Sequence, residues 1–205
     1  MNDLKFTGER VIPDLMKPMD FLLLEHIARY QFSIAYAKGR MLDIACGSGY
    51  GTQMVTKVAK KNLAEVIGAD VASDIIEYAR GRYHHPLISY VEADVLDKSL
   101  PTKLGTFDTI LSFETIEHVE NEQLFMQNMY NLLNEGGTLI ISTPFGEGKG
   151  KPCWEPFHAH QFTKEEFHQL FTPFRSVEFY YQKGVLIEPG REGLEYPIGI
   201  AVARK

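Results

Sequence analysis

Cysteine is scarce in this sequence, and a long apolar run is missing altogether. The 205 residues include only Cys46 and Cys153, which lie far apart in the chain. Two distant thiols do not make the disulfide framework of a small secreted domain, so we expect a reducing, cytoplasmic environment. No stretch reaches the roughly 18 apolar residues that a membrane helix needs, and the first residues lack the apolar core of a signal peptide. Insertion into a membrane is therefore not expected.

Positive charge is also in short supply. Lysine and arginine number 21 against 27 aspartates and glutamates, which gives a net charge of −6. An acidic surface repels a phosphate backbone, so a small molecule rather than a nucleic acid is the expected partner. The length fits one domain with a core large enough to fold alone, as a monomer or a homodimer.

Helical and extended patterns alternate along the chain. The predicted strands are short apolar runs, as expected when helices cover both faces of a parallel sheet, and the predicted helices repeat apolar residues at three- or four-residue spacing. This alternation predicts an α/β fold with a doubly wound sheet. The predicted strands are 41–45, 65–71, 88–93, 107–113, 138–142, 177–182 and 198–203, and the predicted helices are 18–37, 50–60, 73–83, 121–133 and 163–171.

A glycine-rich turn follows the first predicted strand. In the segment LDIACGSGYG, residues 42–51, Gly47 and Gly49 allow a sharp turn and a close approach of the backbone to a ligand. Open α/β sheets bind ligands in such a place, beyond the carboxyl ends of their strands. A dinucleotide-binding dehydrogenase would carry the pattern G-x-G-x-x-G here, but Thr52 stands at the third glycine position. The dehydrogenase pattern therefore fails by one residue.

Three carboxylates lie at or near the ends of the first three predicted strands. Asp43 lies inside the first strand, Asp70 ends the second and Asp94 follows the third. A carboxylate in the position of Asp70 is placed to accept both ribose hydroxyls of an adenosine. Asp94 is placed to accept the exocyclic amine of the adenine. Asp43 would either organise the glycine turn or reach the amino end of the ligand through water.

Four segments together resemble a known family. LDIACGSGYG, IGADV, EADV and FDTILSFETIEHV are similar, in order and spacing, to the motif series of class I S-adenosylmethionine (SAM)-dependent methyltransferases, over residues 40–144. The resemblance implies a Rossmann-like, seven-stranded sheet in the order 3-2-1-4-5-7-6, with the last strand antiparallel. It also implies that SAM binds here and leaves as S-adenosylhomocysteine (SAH). The implied cofactor-binding residues are Asp43, Ala45, Gly47, Gly49, Tyr50, Asp70, Val71, Asp94, Val95 and Phe113.

The chain is expected to form a single domain, 1–205, with three parts. Residues 1–37 comprise an irregular arm and an amphipathic helix, which we predict to form a lid. Residues 38–144 hold the SAM-binding core. Residues 145–205 supply a loop on the substrate side, a helix and the last two strands.

A turn rich in acidic residues and histidine follows the fourth predicted strand. Glu117 lies three residues after Glu114 and His118 lies four residues after it, so one helical turn would present all three on one face. Two carboxylates and an imidazole suit a divalent cation such as Mg²⁺ or Mn²⁺. Without a metal, His118 would serve as a general base, because its pKa ordinarily lies near neutrality. The remaining alternative is a structural turn in which Glu117 caps the next helix.

The same E-x-x-E-H spacing resembles the metal motif of two methyltransferase groups, the ubiquinone-biosynthesis O-methyltransferases and the small-RNA 2′-O-methyltransferases. The second group adds a histidine from a distal loop, and His158 or His160 lies in such a loop here. The resemblance implies the ligand set Glu114, Glu117, His118 and His160. Such a metal would hold two substrate oxygens and acidify the attacking hydroxyl.

Both ends of the chain resemble a narrower group of small bacterial methyltransferases that often accompany enzymes of cell-surface polysaccharides. The similarity rests on FTGERVIP, HIARY and PFH. It implies a sugar or sugar-nucleotide substrate, with the arm folding over the cofactor. Arg10 or Arg29 would meet the SAM carboxylate or an anionic substrate, although an ordinary surface salt bridge also explains Arg29. The other substrate or lid candidates are Tyr30, Trp154 and His158.

We therefore expect a methyltransferase that moves the methyl group of SAM to an oxygen of a sugar, a sugar nucleotide or a catechol- or quinol-like compound. The transfer would be an in-line displacement that depends mostly on positioning, with His118, Glu117 and Glu114 as the catalytic residues. Two alternatives stay open: a metal-dependent RNA 2′-O-methyltransferase and a SAM-binding protein without catalysis. The intact set of Glu114, Glu117 and His118 argues against the second alternative.

Overall fold

Strands and helices alternate through residues 10–153 and 157–205, which are the parts of the chain that the computed structural model describes. The strands are β1 Gly39–Ile44, β2 Leu63–Asp70, β3 Ile88–Glu92, β4 Phe107–Phe113, β5 Leu133–Pro144, β6 Ser176–Lys183, β7 Leu186–Glu188 and β8 Ile198–Arg204. The α-helices are α1 Phe21–Ser33, α2 Tyr50–Ala59, α3 Ser73–Arg82, α4 Leu100–Leu104, α5 Glu122–Leu132 and α6 Lys164–Gln169. Short 3₁₀ turns cover Pro13–Leu15, Ile34–Tyr36 and Ile116–His118.

These strands form one mixed sheet in the order β3-β2-β1-β4-β5-β8-β6-β7. The pairs from β3 to β5 are parallel, whereas β8 runs antiparallel to both β5 and β6. The direction in which the chain winds across the sheet reverses between β1 and β4. In open α/β sheets a crevice forms beyond the strand ends at such a reversal.

The predicted number of seven strands was wrong, because the described residues form eight. The additional strand is β7, which pairs antiparallel with the end of β6 after a tight turn at Gly184, where φ is +61°. A three-residue strand is too short to show an apolar period, so the sequence did not reveal it. The predicted antiparallel final strand is confirmed, since β8 lies between β5 and β6.

Neighbouring residues of the central strands point into two different apolar cores. In β5, Leu139 and Ile141 belong to the core that includes α5 and α6, whereas Ile140 belongs to the core that includes α1 and α2. Leu42 and Met41 divide in the same way in β1. Because both faces of the sheet are covered, the strands contain continuous apolar runs.

Helix α1 is fastened to the far edge of the sheet by two buried polar side chains. Arg29 of α1 is 1% exposed, and its Nη1 donates to Oε1 of Gln182 in β6 at 2.9 Å. The Nε2 of Gln182 bonds in turn to the carbonyls of Glu25 and Gly184. Arg29 is therefore a buried residue that connects α1 to β6 and, through Gln182, to the turn between β6 and β7.

The described segments contain no helix that is both long and apolar enough to cross a lipid bilayer.

We predict that Gln182→Leu lowers the free energy of unfolding by about 3 kcal/mol, because it leaves the buried Arg29 guanidinium without its side-chain partner. Urea denaturation measures the change. The double variant Arg29→Met with Gln182→Leu is the control, since it removes the buried charge as well and should recover most of the loss. A double variant as unstable as Gln182→Leu alone would contradict this account.

Candidate active site

A cavity of about 850 Å³ opens beyond the carboxyl ends of β1, β2 and β4. Sites for small molecules usually have volumes of roughly 300–1,000 Å³. Most of the site residues that the sequence predicts line this cavity, including those expected to bind the cofactor and those expected to bind the acceptor. They are Arg10, Tyr30, Ala45, Gly47, Tyr50, Asp70, Val71, Asp94, Val95, Phe113, Glu114, Glu117, His118 and His158.

The glycine turn after β1 needs left-handed backbone at three places. The φ angles of Gly47 and Gly49 are +53° and +83°, and Ala45 has a φ of 57° although it carries a side chain. A Cβ built on Gly47 meets no atom within 4 Å, so it would project into open space beside the cavity. A Cβ on Gly49 would lie 2.8 Å from the ring of Tyr90. Gly47 therefore keeps space free for a ligand, whereas Gly49 allows close packing.

Asp70 holds the two segments that flank the predicted ribose site. Its Oδ2 accepts the backbone N–H of Gly47 at 2.9 Å, and its Oδ1 accepts the N–H of Ala72 at 3.0 Å. A carboxylate offers about four lone-pair positions, so acceptor capacity remains on both oxygens for ribose hydroxyls. Asp94 lies across the same cavity, with its Oδ1 accepting the N–H of Leu96 at 2.8 Å. Both carboxylates thus lie where the sequence predicted them.

Asp43 lies behind the glycine turn and does not line the cavity. It is 1% exposed, and its Oδ2 accepts the hydroxyls of Thr52 at 2.5 Å and Tyr30 at 3.2 Å. Burial raises the pKa of Asp43 to about 7. Of the two roles open to Asp43 from the sequence, the structure supports the first, because this carboxylate ties β1 to α1 and α2. Gly49 also stays out of the cavity lining.

The side chains of Glu114 and Glu117, which follow β4, contact different partners. Glu114 has a φ of 50°, and its Oε1 accepts the hydroxyl of Ser142 at 2.6 Å. Glu117 lies in the following 3₁₀ turn, is 1% exposed and accepts the hydroxyl of Thr143 at 3.0 Å. Burial and the nearby Glu114 raise the pKa of Glu117 well above its usual range. An added positive charge here would stabilise the ionised form of Glu117.

Ligand atoms of Glu117, His118 and His158 lie within 4.8 Å of one another. The Nε2 of His118 is 3.9 Å from Oε1 of Glu117, and the Nδ1 of His118 lies 3.0 Å from the carbonyl of Phe157. When Nδ1 donates to that carbonyl, Nε2 is the unprotonated nitrogen of the neutral ring. The imidazole is then oriented for a cation or for a proton.

Of the predicted ligand set Glu114, Glu117, His118 and His160, the structure brings Glu117 and His118 together with His158 instead of with Glu114 and His160. Glu114 is turned toward Ser142, and His160 packs against Phe162, with ring centroids 4.8 Å apart. The carbonyl of Glu117 accepts the N–H groups of both Ala159 and His160. This double contact orients the loop so that His158, the other histidine considered from the sequence, joins the cluster.

His26 is a cavity residue that the prediction left out. Among the described residues, none forms a hydrogen bond with its ring, and burial together with the charge of Arg29 lowers its pKa well below the usual range. The imidazole is therefore neutral at physiological pH. The signal that would have found it is the four-residue spacing of Leu22, His26 and Tyr30, which all reach the cavity from one face of α1. Trp154 lies outside the described residues.

We predict opposite effects for two alanine substitutions in the glycine turn. Gly47→Ala should weaken SAH binding at least tenfold and cost only about 1 kcal/mol of stability, because its methyl group enters the ligand space and its φ is positive. Gly49→Ala should mainly lower the melting temperature, because its methyl group overlaps Tyr90. Calorimetric titration with SAH and thermal unfolding measure the two effects. Equal SAH affinity for Gly47→Ala and the wild type would contradict the assignment.

We also predict that Asp43 makes stability depend on pH. From about pH 4 upward the unfolded chain ionises this carboxyl, whereas the folded protein keeps its proton up to about pH 7. Stability is therefore lost as pH rises through this window, by on the order of 4 kcal/mol. Denaturation of the wild type and of Asp43→Asn at pH 4 to 8 measures the difference. If both proteins follow the same pH profile, Asp43 is not the titrating group.

Sequence comparisons agree with these features. A family model described as a methyltransferase domain matches residues 42–141. A probable SAM-dependent methyltransferase of Mycolicibacterium smegmatis is 30% identical over 172 residues, which are 82% of this chain and 63% of that protein. A ubiquinone biosynthesis O-methyltransferase of Chelativorans sp. is 34% identical over 107 residues, or 51% of this chain and 40% of that protein. The chain thus spans less than two thirds of the length of these curated relatives.

Solved structures share the fold. The N-methyltransferase NodS of Bradyrhizobium japonicum, in complex with SAH, superimposes with a TM-score of 0.67 over 97% of this chain and 95% of that one, at 18% identity. The region that the family model matches, residues 42–141, includes the glycine turn after β1 and Asp70 at the end of β2. Its motifs, its relatives and its fold support a class I SAM-dependent methyltransferase.

Proposed function

We propose that the protein transfers the methyl group of SAM to a hydroxyl oxygen of a small, uncharged, hydroxylated acceptor such as a sugar or a catechol-like compound. The observation that carries the proposal is the cluster of Glu117, His118 and His158. It shares one cavity with Gly47 and Asp70, the residues expected to hold the cofactor.

His118 is the residue suited to take the acceptor proton. The carbonyl of Phe157 orients its ring, and Nε2 lies 3.9 Å from Oε1 of the neighbouring Glu117 on the cavity side. The acceptor hydroxyl would give its proton to Nε2 while its oxygen attacks the methyl carbon. The bond from carbon to the sulfonium sulfur then breaks, and the sulfur leaves as the neutral thioether of SAH. Proton transfer of this kind contributes roughly 10²–10⁴-fold to a rate.

The same three side chains fit a divalent cation. One carboxylate and two imidazoles can hold a divalent transition-metal ion such as Mn²⁺, and their ligand atoms lie within 4.8 Å of one another. As the alternative to a metal-free base, we propose that Glu117, His118 and His158 hold such an ion, in which case Nε2 of His118 is a ligand and does not take the acceptor proton. When bound, it would bind the acceptor oxygen and acidify the hydroxyl.

The charge of the cavity lining favours some of the predicted acceptors over others. Glu114 and Glu120 line the cavity on the side of the histidine cluster. Carboxylates at close range disfavour a diphosphate or a nucleic-acid backbone, in keeping with the net charge of −6. This argues for uncharged sugars and catechols over sugar nucleotides and RNA. The similarity to a ubiquinone biosynthesis O-methyltransferase supports an oxygen acceptor.

We expect calorimetry to detect one Mn²⁺ site in the SAH-loaded protein. Glu117→Gln and His158→Asn should each weaken Mn²⁺ binding at least tenfold, because each removes a ligand. His160→Asn is the matched control from the same loop and should bind Mn²⁺ like the wild type. Unchanged binding in Glu117→Gln would refute the site, and no binding in the wild type would leave His118 as a metal-free base.

Methyl transfer is tested in parallel by SAH release with catechol, methyl α-D-glucoside, UDP-glucose and a short RNA as acceptors. The proposal expects turnover with an uncharged acceptor and its loss in His118→Asn. Turnover confined to UDP-glucose or RNA would overturn the charge argument.

A further inference from the structure

The segment that precedes α1 is anchored in a core of its own. We call Arg10–Met16 the arm. Ile12 is 0% exposed and packs with residues of α3 and of the glycine turn, among them Cys46 and Ile76. The 3₁₀ turn that follows is closed by hydrogen bonds from the N–H groups of Leu15 and Met16 to the carbonyls of Ile12 and Pro13. A fully buried isoleucine makes this arm part of the packed structure.

Polar contacts hold the arm on both sides of Ile12. On one side, the hydroxyl of Ser48 in the glycine turn donates to the carbonyl of Val11 at 2.9 Å. On the other, the carboxylate of Asp14 accepts Nε and Nη2 of Arg82 at 2.6 and 2.9 Å and the hydroxyl of Tyr78 at 2.7 Å. An exposed ion pair alone contributes little, but a two-point contact between arginine and carboxylate is stronger and more specific.

The arm therefore bridges the two segments that Asp70 also joins. Asp70 accepts the N–H of Gly47, next to Ser48, and the N–H of Ala72, which precedes α3. The arm binds the first segment through Ser48 and the second through the α3 side chains that surround Ile12. Arg10 and Val11 line the cavity directly. The arm thus borders the cavity at the end where Asp70 lies.

We propose that Asp14 and Ile12 are positioning residues for the cofactor, which strap the arm across the ribose end of the cavity and so slow the release of SAH. The hydrogen bonds from Arg82 and Tyr78 to Asp14 hold the strap in place. The inference rests on SAH binding beside Asp70 and requires neither the metal nor the acceptor. It can fail while the proposed reaction stands, and the reverse also holds.

The test is the dissociation rate of SAH, measured by surface plasmon resonance. Asp14→Asn should release SAH about tenfold faster, since it removes a charge-assisted, two-point contact. Arg82→Gln should have a similar effect, and the double variant should add little, because both substitutions break the same pair. Glu65→Gln is the matched control: it breaks the ion pair between Arg40 and Glu65, whose atoms are 2.5 Å apart, and Glu65 does not line the cavity.

Hydrogen exchange at the amides of Leu15 and Met16 reports whether the arm is released. Faster exchange together with faster SAH dissociation supports the strap. Faster exchange with an unchanged dissociation rate overturns it, as does a dissociation rate altered equally by Glu65→Gln. Ile12→Ala should speed SAH dissociation more than Asp14→Asn does. If Ile12→Ala fails to fold, Asp14→Asn alone tests the proposal. If Asp14→Asn changes neither the hydrogen exchange of the arm nor the dissociation rate of SAH, Asp14 is not a positioning residue.

Discussion

The buried carboxylate of Asp43 is the contact on which the arrangement of the site depends. It accepts the hydroxyls of Tyr30 and Thr52, so it connects α1 and α2 to the strand between them. Tyr30 also lies against Gly51, where a Cβ would come within 2.1 Å of its ring. This wall of the cavity is therefore positioned by a group that does not itself line the cavity. A buried carboxylate with such partners is costly to replace, because its donors would lose their acceptor.

Backbone conformation at the strand ends shapes the rest of the cavity. Ala45 after β1 and Glu114 after β4 both have positive φ angles, which residues with side chains rarely adopt. Both line the cavity, and β1 and β4 are neighbours in the sheet. Such conformations cluster at functional sites, where surrounding packing maintains them. Here they let the chain turn away sharply at two adjacent strands, which opens the crevice.

The parts of the site that depend on local spacing could be predicted from the sequence, and the parts that depend on distant contacts could not. Gly47, Asp70 and Asp94 follow directly from strand ends that the apolar runs mark. The choice between His158 and His160 depends on the Glu117 carbonyl some forty residues away, a contact no local pattern encodes. Similarly, β7 exists only as the partner of β6. The neutral state of His26 depends on burial and on Arg29, which become visible only once α1 is packed.

The contact between α1 and the turn that joins β6 to β7 links the cavity to the edge of the sheet. Leu22, His26 and Tyr30 face the cavity from α1, but the position of that helix along the sheet depends on Arg29 and Gln182 at the opposite edge. Among the described residues, none of the β6–β7 hairpin lines the cavity. Insertions or deletions in this hairpin would therefore act on the cavity from a distance, through the position of α1 and of the side chains that α1 presents. A surface hairpin outside the cavity thus helps to set the shape of one of its walls.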